Sequence, residues 1–231
     1  MTASYATYGI IDSEDSVPAG IAGLHASVVW NLPYRGIGVV VSLLAGPVQD
    51  IVAGAVQHEA VVERLMRAHT VLPMRFPTVL AGQEAILAMM SQHYDGFQEN
   101  LRRLRNQVEF GIRVLWPAAH CPAAPLRAQV SHESSGKQYM RERYRQYQCR
   151  QVLSEQADQF GRKLDAALSE FVTAKRLRKT AADAFAFDGV YLVNRDKGAA
   201  FRRAFAEARG SEPDFEYLLS GPWPPYSFVT G

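Results

Sequence analysis

The chain has 231 residues, of which 48% are hydrophobic and 21% charged, so it is long enough to bury one large core or two small ones. Its formal net charge of +2 is nearly balanced, which does not favour long-range attraction of nucleic acid. The sequence has no apolar run long enough to span a bilayer and does not begin like a secretion signal, so we expect a cytoplasmic protein that is not bound to membranes.

The first half of the sequence predicts a sheet with two helices. Three short runs rich in β-branched and aromatic residues open the chain, SYATYGIID, LHASVVWNL and GIGVVVSLL. Apolar residues then recur at helical spacing from Val48 to Ala68 and from Gln83 to Leu104. A strand is expected between these helices and another in QVEFGIRVLW. The order β-β-β-α-β-α-β predicts an N-terminal α+β domain over residues 1–116, with a modified ferredoxin-like antiparallel sheet and the helices on one face.

The second half predicts a separate α+β unit. Several prolines in PAAHCPAAPLRAQ indicate a linker over residues 117–130. From Glu133 to Ala181 there is little glycine or proline, and the apolar positions step by three and four, so a long helix or helical pair is expected. FDGVYLVNRD is typical of a strand, KGAAFRRAFAEAR of a helix ending at Gly210, and PDFEYLLSGPWPPYSFV of a strand leading into a proline and aromatic tail. We therefore expect residues 131–231 to form a C-terminal α+β domain built around long helices and ending in this tail.

The sequence has partial matches to catalytic and metal-binding motifs, but each match lacks a required residue. His58 begins a pattern like H-E-x-x-H, but Val62 stands where the second histidine ligand is required. The Gly-Lys pair at Gly136 lacks the first glycine and the Ser or Thr of a phosphate-binding loop. Cys121 follows His120, yet neighbours in sequence point apart on a strand and no third group orients them. We therefore predict no catalytic residue, no metal and no organic cofactor, and we expect none to copurify.

A cluster of bases over residues 137–179 allows two interpretations. RERYRQYQCR and KRLRK resemble a nucleic-acid face, on which Tyr139, Tyr144 and Tyr147 stack on bases. Alternatively, the cluster is a solvated helix face whose charges form intrahelical pairs with the interleaved acids, namely Glu142, Glu155, Asp158, Asp165 and Glu170. The first interpretation makes the chain a nucleic-acid-binding regulatory protein; the second, which we favour, does not.

Most of the chain resembles a known family. The resemblance rests on the run HEAVVERLMRAHTVLPMRFPTVLAGQEAILAMMSQHYDGFQENLRRLRNQVEFGIRVLW, together with YATYGII, DGVYLVNRD and LLSGPWPPYSFV. These segments are similar to the gas vesicle accessory proteins of the GvpL/GvpF family. The most specific pieces are TVLPMRF and the terminal SGPWPPYSFV. One departure is Pro77, where the family usually has glycine, and proline there fixes φ and removes a donor.

The resemblance implies a non-enzymatic assembly factor associated with gas vesicles. Such a protein binds the small, very hydrophobic shell protein (GvpA-like) and other accessory proteins while the vesicle wall is built. Neither nucleic acid nor a membrane is expected as a partner. The family is also expected to have two α+β domains, which agrees with the order of elements deduced from the residues.

Arg75 and Phe76 are candidates for a partner site or for a structural anchor. They lie in a Pro-x-Arg-Phe segment between two helices, where a permanently charged guanidinium beside an aromatic suits binding of a carboxylate or of carbonyl oxygens better than proton transfer. In the alternative, Arg75 only holds a strand and a helix together.

The aromatic tail carries three further candidates. Trp223, Tyr226 and Phe228 lie close together on a backbone stiffened by prolines. They either clamp the tail onto the chain's own domain, which we favour because exposed aromatics promote aggregation, or form a ridge for a partner.

Overall fold

The computed structural model describes residues 3–15, 17–115, 136–178, 185–210 and 215–230. In the described residues, contacts divide the chain into two compact units, Met1–Glu109 with Pro222–Gly231, and Phe110–Gly221. Each unit has helices and a sheet, so the expected α+β class is confirmed.

The ranges of these units differ from the expected domains in two places. The division falls between Glu109 and Phe110, before the expected boundary at residue 116, and the tail from Pro222 belongs to the first unit. The linker expected at residues 117–130 lies outside the described residues and stays a prediction.

The first unit contains a five-stranded sheet and three helices. Its strand order is β2-β3-β1-β4, and β5 pairs with β1. The elements are β1 Ser4–Ile11, β2 Val29–Tyr34, β3 Ile37–Leu43, α1 Ile51–Met66, β4 Val71–Pro73, β5 Val79–Ala81, α2 Gly82–Gln92 and α3 Tyr94–Arg103. The single helix expected from Gln83 to Leu104 is therefore two helices, because His93 between them has non-helical backbone angles (φ −110°, ψ 12°).

Both faces of the first sheet are buried. Ile11 of β1 and Val40 of β3 pack with Val61, Val62 and Leu65 of α1 on one face. The residues that alternate with them, including Ile10, Val39 and Val41, are equally buried, and alternate residues of a strand point to opposite faces. The sheet is thus covered on both sides, whereas the sequence predicted helices on one face.

The second unit contains a four-stranded sheet in the order β7-β8-β6-β9. Its elements are β6 Gln107–Leu115, α4 Gly136–Leu168, β7 Val172–Leu177, β8 Phe185–Asn194, α5 Gly198–Gly210 and β9 Glu216–Trp223. Phe110 of β6 stacks on Phe201 of α5 with ring centroids 4.8 Å apart, and both rings are buried.

Two expectations about the second sheet were wrong. QVEFGIRVLW forms β6 of this sheet and does not join the first one, because an alternating pattern identifies a strand but not its pairing partner. The KRLRK segment does not continue the long helix. Instead, Lys175 and Arg176 lie on strand β7, which the β-branched Val172 and Thr173 begin.

Candidate partner-binding surfaces

The segment that follows β4 is fixed against α1 by a buried histidine. His58 Nε2 donates a hydrogen bond to the carbonyl oxygen of Met74 (2.9 Å), while the backbone N–H of Met74 donates to Tyr8 O (2.9 Å). The His58 ring lies between the rings of Tyr8 and Phe76, at centroid distances of 5.2 and 5.6 Å. Burial lowers the pKa of His58, and the bond to Met74 opposes this only in part. His58 therefore acts as a neutral structural donor.

Phe76 packs closely on α1 where the helix has no side chain. A Cβ atom at Gly54 would lie 2.8 Å from Cζ of Phe76 and 2.7 Å from Cγ1 of Val48. Glycine is thus required for this approach, and Phe76 is packed onto the core of the first unit.

Arg75 points away from this packing. Its side chain is exposed and makes no ion pair or hydrogen bond within the described part of the chain. Its carbonyl oxygen accepts a hydrogen bond from Thr78 Oγ1 (2.5 Å). The backbone of Arg75 is therefore fixed while its guanidinium stays in solvent.

The tail is bound by two carboxylates of the first unit. Tyr226 OH donates to Glu59 Oε2 of α1 (2.8 Å). The backbone N–H of Ser227 donates to Glu109 Oε2 (2.8 Å), and its hydroxyl donates to Glu109 Oε1 (2.9 Å). Glu109 is buried, and hydrogen bonds are electrostatically stronger inside a protein than in water.

Asn100 of α3 holds the end of the tail. Its Nδ2 donates to Thr230 O (2.8 Å), and its Oδ1 accepts from the backbone N–H and hydroxyl of Thr230, both at 3.1 Å. Arg103 donates to Phe228 O (2.6 Å), and the Phe228 ring is fully buried. Trp223 differs, because 37% of its surface is exposed.

The pKa values of Tyr226 and Glu59 are both raised, and burial is the largest cause for each group. Burial raises the pKa of Glu59, the hydrogen bond from Tyr226 lowers it, and the charge of Glu63 raises it further. Burial, then the bond to Glu59 and the charges of Glu59 and Glu63, raise the pKa of Tyr226. Oε1 of Glu59 is buried without a hydrogen-bond partner among the described residues. Both pKa shifts favour the protonated forms.

An exposed apolar surface lies on the other side of α1. Val52 is 75% exposed, Val56 66% and Ile51 56%, and Val52 and Val56 lie opposite the buried Val61 and Leu65 on the helix. Beside them is a groove of about 670 Å³ whose lining includes Ala22, Leu24, Ala26, Val48, Ala53 and Gly54. We call these three exposed side chains and the groove the α1 surface. Large exposed apolar patches on proteins commonly mark interaction sites.

The basic cluster is divided between two elements. Arg141, Tyr144 and Tyr147 are exposed on α4, while Lys175 lies on β7 and pairs with Asp165 (2.5 Å). This ion pair joins two elements and is not intrahelical. Lys137 and Tyr139 have no described side chain, and Lys179 lies outside the described residues.

Residues of the first unit that bind the tail were not identified from the sequence. Glu59, Asn100 and Glu109 lie far from the tail in sequence, and no local pattern marks them. The α1 surface did leave a signal, because Ile51, Val52 and Val56 add more apolar positions than one stripe of a helix can bury. These three residues belong to the helical spacing that predicted a helix from Val48 to Ala68.

Within the described residues no helix is long and apolar enough to cross a bilayer. The same residues contain no group of three or more His, Cys, Asp or Glu side chains placed to hold a metal ion.

The fold is that of an α+β protein with two units, the first of which exposes apolar side chains on α1. The model of the family described as gas vesicle synthesis protein GvpL/GvpF matches residues 5–230. The chain therefore belongs to the GvpL/GvpF family, as the resemblance had predicted, and this is a family of gas vesicle accessory proteins.

Individual relatives agree with this assignment. Gas vesicle protein L of Streptomyces sp. (strain CB03234) is 31% identical over 180 residues, covering 74% of this chain and 67% of that protein. Gas vesicle protein F2 of Halobacterium salinarum is 23% identical over 230 residues, covering 96% and 90%. The crystal structure of GvpF from Anabaena sp. PCC7120 matches with a TM-score of 0.81 over 99% of this chain and 97% of that chain, at 17% identity. The match to the Anabaena structure shows that the two chains share a fold.

Proposed function

We propose that the protein is a cytoplasmic assembly factor that binds the small hydrophobic gas vesicle shell protein (GvpA-like) and other accessory proteins during vesicle formation. Family membership supports an accessory role in gas vesicle synthesis. The protein acts by binding and not by catalysis.

The α1 surface carries this proposal. A very hydrophobic subunit needs an apolar surface that covers it until it joins the vesicle wall, since exposed apolar area drives aggregation. Fully burying a valine side chain is worth about 1.5–3 kcal/mol, and most of the surface of Val52 and Val56 is still available for burial.

The five candidate residues divide into anchors and contacts in this proposal. Phe76, Tyr226 and Phe228 are structural anchors, because each packs on the first unit. Arg75 and Trp223 contact a partner, because their side chains are wholly or partly exposed. Accessory proteins with acidic side chains are suitable partners for Arg75.

Substitution on the α1 surface tests the proposal. We expect Val52→Gln with Val56→Gln to weaken binding to purified shell protein by about tenfold or more, because two buried valines are lost from the contact. The matched control is Leu87→Gln, which replaces an exposed apolar residue of α2 in the same unit. Equal binding by the double variant and the wild type, with both folded, would overturn the assignment of this surface.

A second arm addresses the proposed function itself. If wild-type protein does not retain shell protein at all, while it binds generic RNA with a steep salt dependence, the assembly-factor proposal fails and the nucleic-acid alternative replaces it.

A further inference from the structure

Helix α4 carries a continuous exposed seam in the second unit. Met140, Tyr144 and Tyr147 are 66, 63 and 60% exposed, and they are spaced by four and three residues. Gln151, Glu155 and Asp158 continue the spacing and are also exposed. Residues at this spacing share one face of a helix. The seam is defined by these six residues and runs about 27 Å along the helix axis.

Charges over residues 137–161 of α4 are separated by sign. Residues 137–150 contain five bases and one acid, whereas residues 151–161 contain the acids Glu155 and Asp158 and no base. The bases Lys137 and Arg145 each lie four residues from Arg141, and Asp158 lies three residues from Glu155. Like charges at these spacings destabilise a helix. Neither Arg141 nor Glu155 forms an ion pair in the described part of the chain, so both charges are available to a partner.

We propose that two copies of this chain associate through antiparallel pairing of their α4 seams. Antiparallel alignment places Met140 opposite Asp158 of the second copy, Tyr144 opposite Glu155, and Tyr147 opposite Gln151. The three pairings agree in register to within one residue, about 1.5 Å along the helix axis. Arg141, beside the seam, then lies near both acids of the second copy, whereas parallel pairing would place Arg141 opposite Arg141.

The tyrosine hydroxyls suit this arrangement. Tyr144 OH accepts a hydrogen bond from Gln148 Nε2 (3.0 Å), and Tyr147 OH accepts one from Gln151 Nε2 (3.0 Å). Each hydroxyl keeps its own hydrogen for a further acceptor. In the antiparallel pair, Tyr144 donates to the Glu155 carboxylate of the second copy, and such charge-assisted bonds are short and strong.

The association is weak and sensitive to salt. A single helix pair buries area at the low end of specific interfaces, below about 1,200 Å² in total. Its ion pairs are near solvent, where salt screens them. We expect sedimentation velocity of the full chain to show dimers that increase with protein concentration and decrease as salt is added.

A charge exchange tests the pairing. One variant carries Arg141→Glu, and the other carries Glu155→Arg with Asp158→Arg. Each variant alone places like charges together, so its self-association should fall by about tenfold or more. A mixture of the two restores opposite charges in both contacts and should dimerise like the wild type. Circular dichroism checks that both variants are folded, and the readout needs no shell protein, so it is independent of the proposed function.

Cysteine cross-linking distinguishes the direction of pairing. In a background with Cys121→Ser and Cys149→Ser, we expect Tyr147→Cys with Gln151→Cys to form an intermolecular disulfide. Met140→Cys alone should not, because antiparallel pairing separates the two copies of this residue by about 27 Å. Three results would each overturn the proposal. They are a chain that stays monomeric at high micromolar concentration, dimerisation that is unchanged by the charge reversals, and a disulfide between two copies of Met140→Cys.

Discussion

Two proline-stiffened segments of the first unit contact the same helix by different means. Residues 73–77 attach through apolar packing, with Phe76 against Gly54 and His58 of α1. Residues 222–230 attach through the buried ring of Phe228 and also through hydrogen bonds to two carboxylates. Tyr226 donates to Glu59, and Ser227 donates to Glu109. An aromatic residue beside prolines does not by itself show a partner site, because the groups that the fold places opposite it decide its role.

The largest expected effect on stability comes from removing an aromatic ring, and it should differ between the two segments because their rings are buried to different extents. Phe228→Ala should lower the free energy of unfolding by about 3–5 kcal/mol, since a fully buried ring is removed. Phe76→Ala should cost less, because this ring is only half-buried. Native-state hydrogen exchange of β1 amides reports this loss for the first unit alone. Equal losses for the two variants would show that burial does not distinguish the segments.

A smaller effect is expected for the polar attachment of the tail. Asn100→Ala removes the hydrogen bonds that this buried side chain makes to Thr230, so stability should fall by about 2 kcal/mol. The neighbouring Glu99→Ala is the control, because its pair with Arg102 is exposed and such pairs contribute little to stability. The same hydrogen-exchange measurement applies. If Glu99→Ala lowers the free energy of unfolding as much as Asn100→Ala does, this contradicts the proposal that Asn100 attaches the tail.

The tail attachment should depend on pH through Glu59. Its pKa is raised in the folded state, so the related stability is fully present below the unfolded value of about 4.5 and is lost as pH rises through the folded pKa. Between pH 4.5 and neutral pH, the wild type should lose stability relative to Glu59→Gln, by about 1 kcal/mol or less. Urea unfolding at several pH values measures the difference.

Removing the hydroxyl sharpens this test. The bond from Tyr226 lowers the pKa of Glu59, so Tyr226→Phe should raise that pKa further and extend the loss of stability to higher pH. A difference between wild type and Glu59→Gln that does not change with pH would contradict the coupling.

The smallest effect on stability is expected at the exposed residue of the first segment. Arg75→Ala should change the free energy of unfolding by less than about 0.5 kcal/mol, because its side chain is exposed and unpaired in the described part of the chain. Binding to an accessory protein should nevertheless fall, as measured by titration calorimetry. A large loss of stability would instead make Arg75 a structural anchor.

The sequence predicted the helices and strands better than it predicted which strands pair in a sheet. Alternation and helical spacing identified β1, β3, α1 and α5, because these patterns depend on near neighbours in the chain. They did not predict the sheet to which β6 belongs, which depends on residues far away in sequence. The resemblance singled out Arg75 and Tyr226, but only the folded chain shows which of them is bound.

The same limit explains why the α1 surface was missed. The apolar residues from Val48 to Ala68 predicted a helix but not which of them are exposed, since a single sequence does not show what covers each side of a helix. The structure instead places Val52 and Val56 on the exposed side. Apolar residues on both sides of a helix are a signal that can be used in other chains.

Hydrogen exchange of the full chain with and without shell protein tests the central claim most directly. If the α1 surface binds the shell protein, amides in residues 22–28 and 51–60 should become more protected on binding, while those of α4 should not change. Protection confined to residues 136–178, with none on α1, would contradict the account.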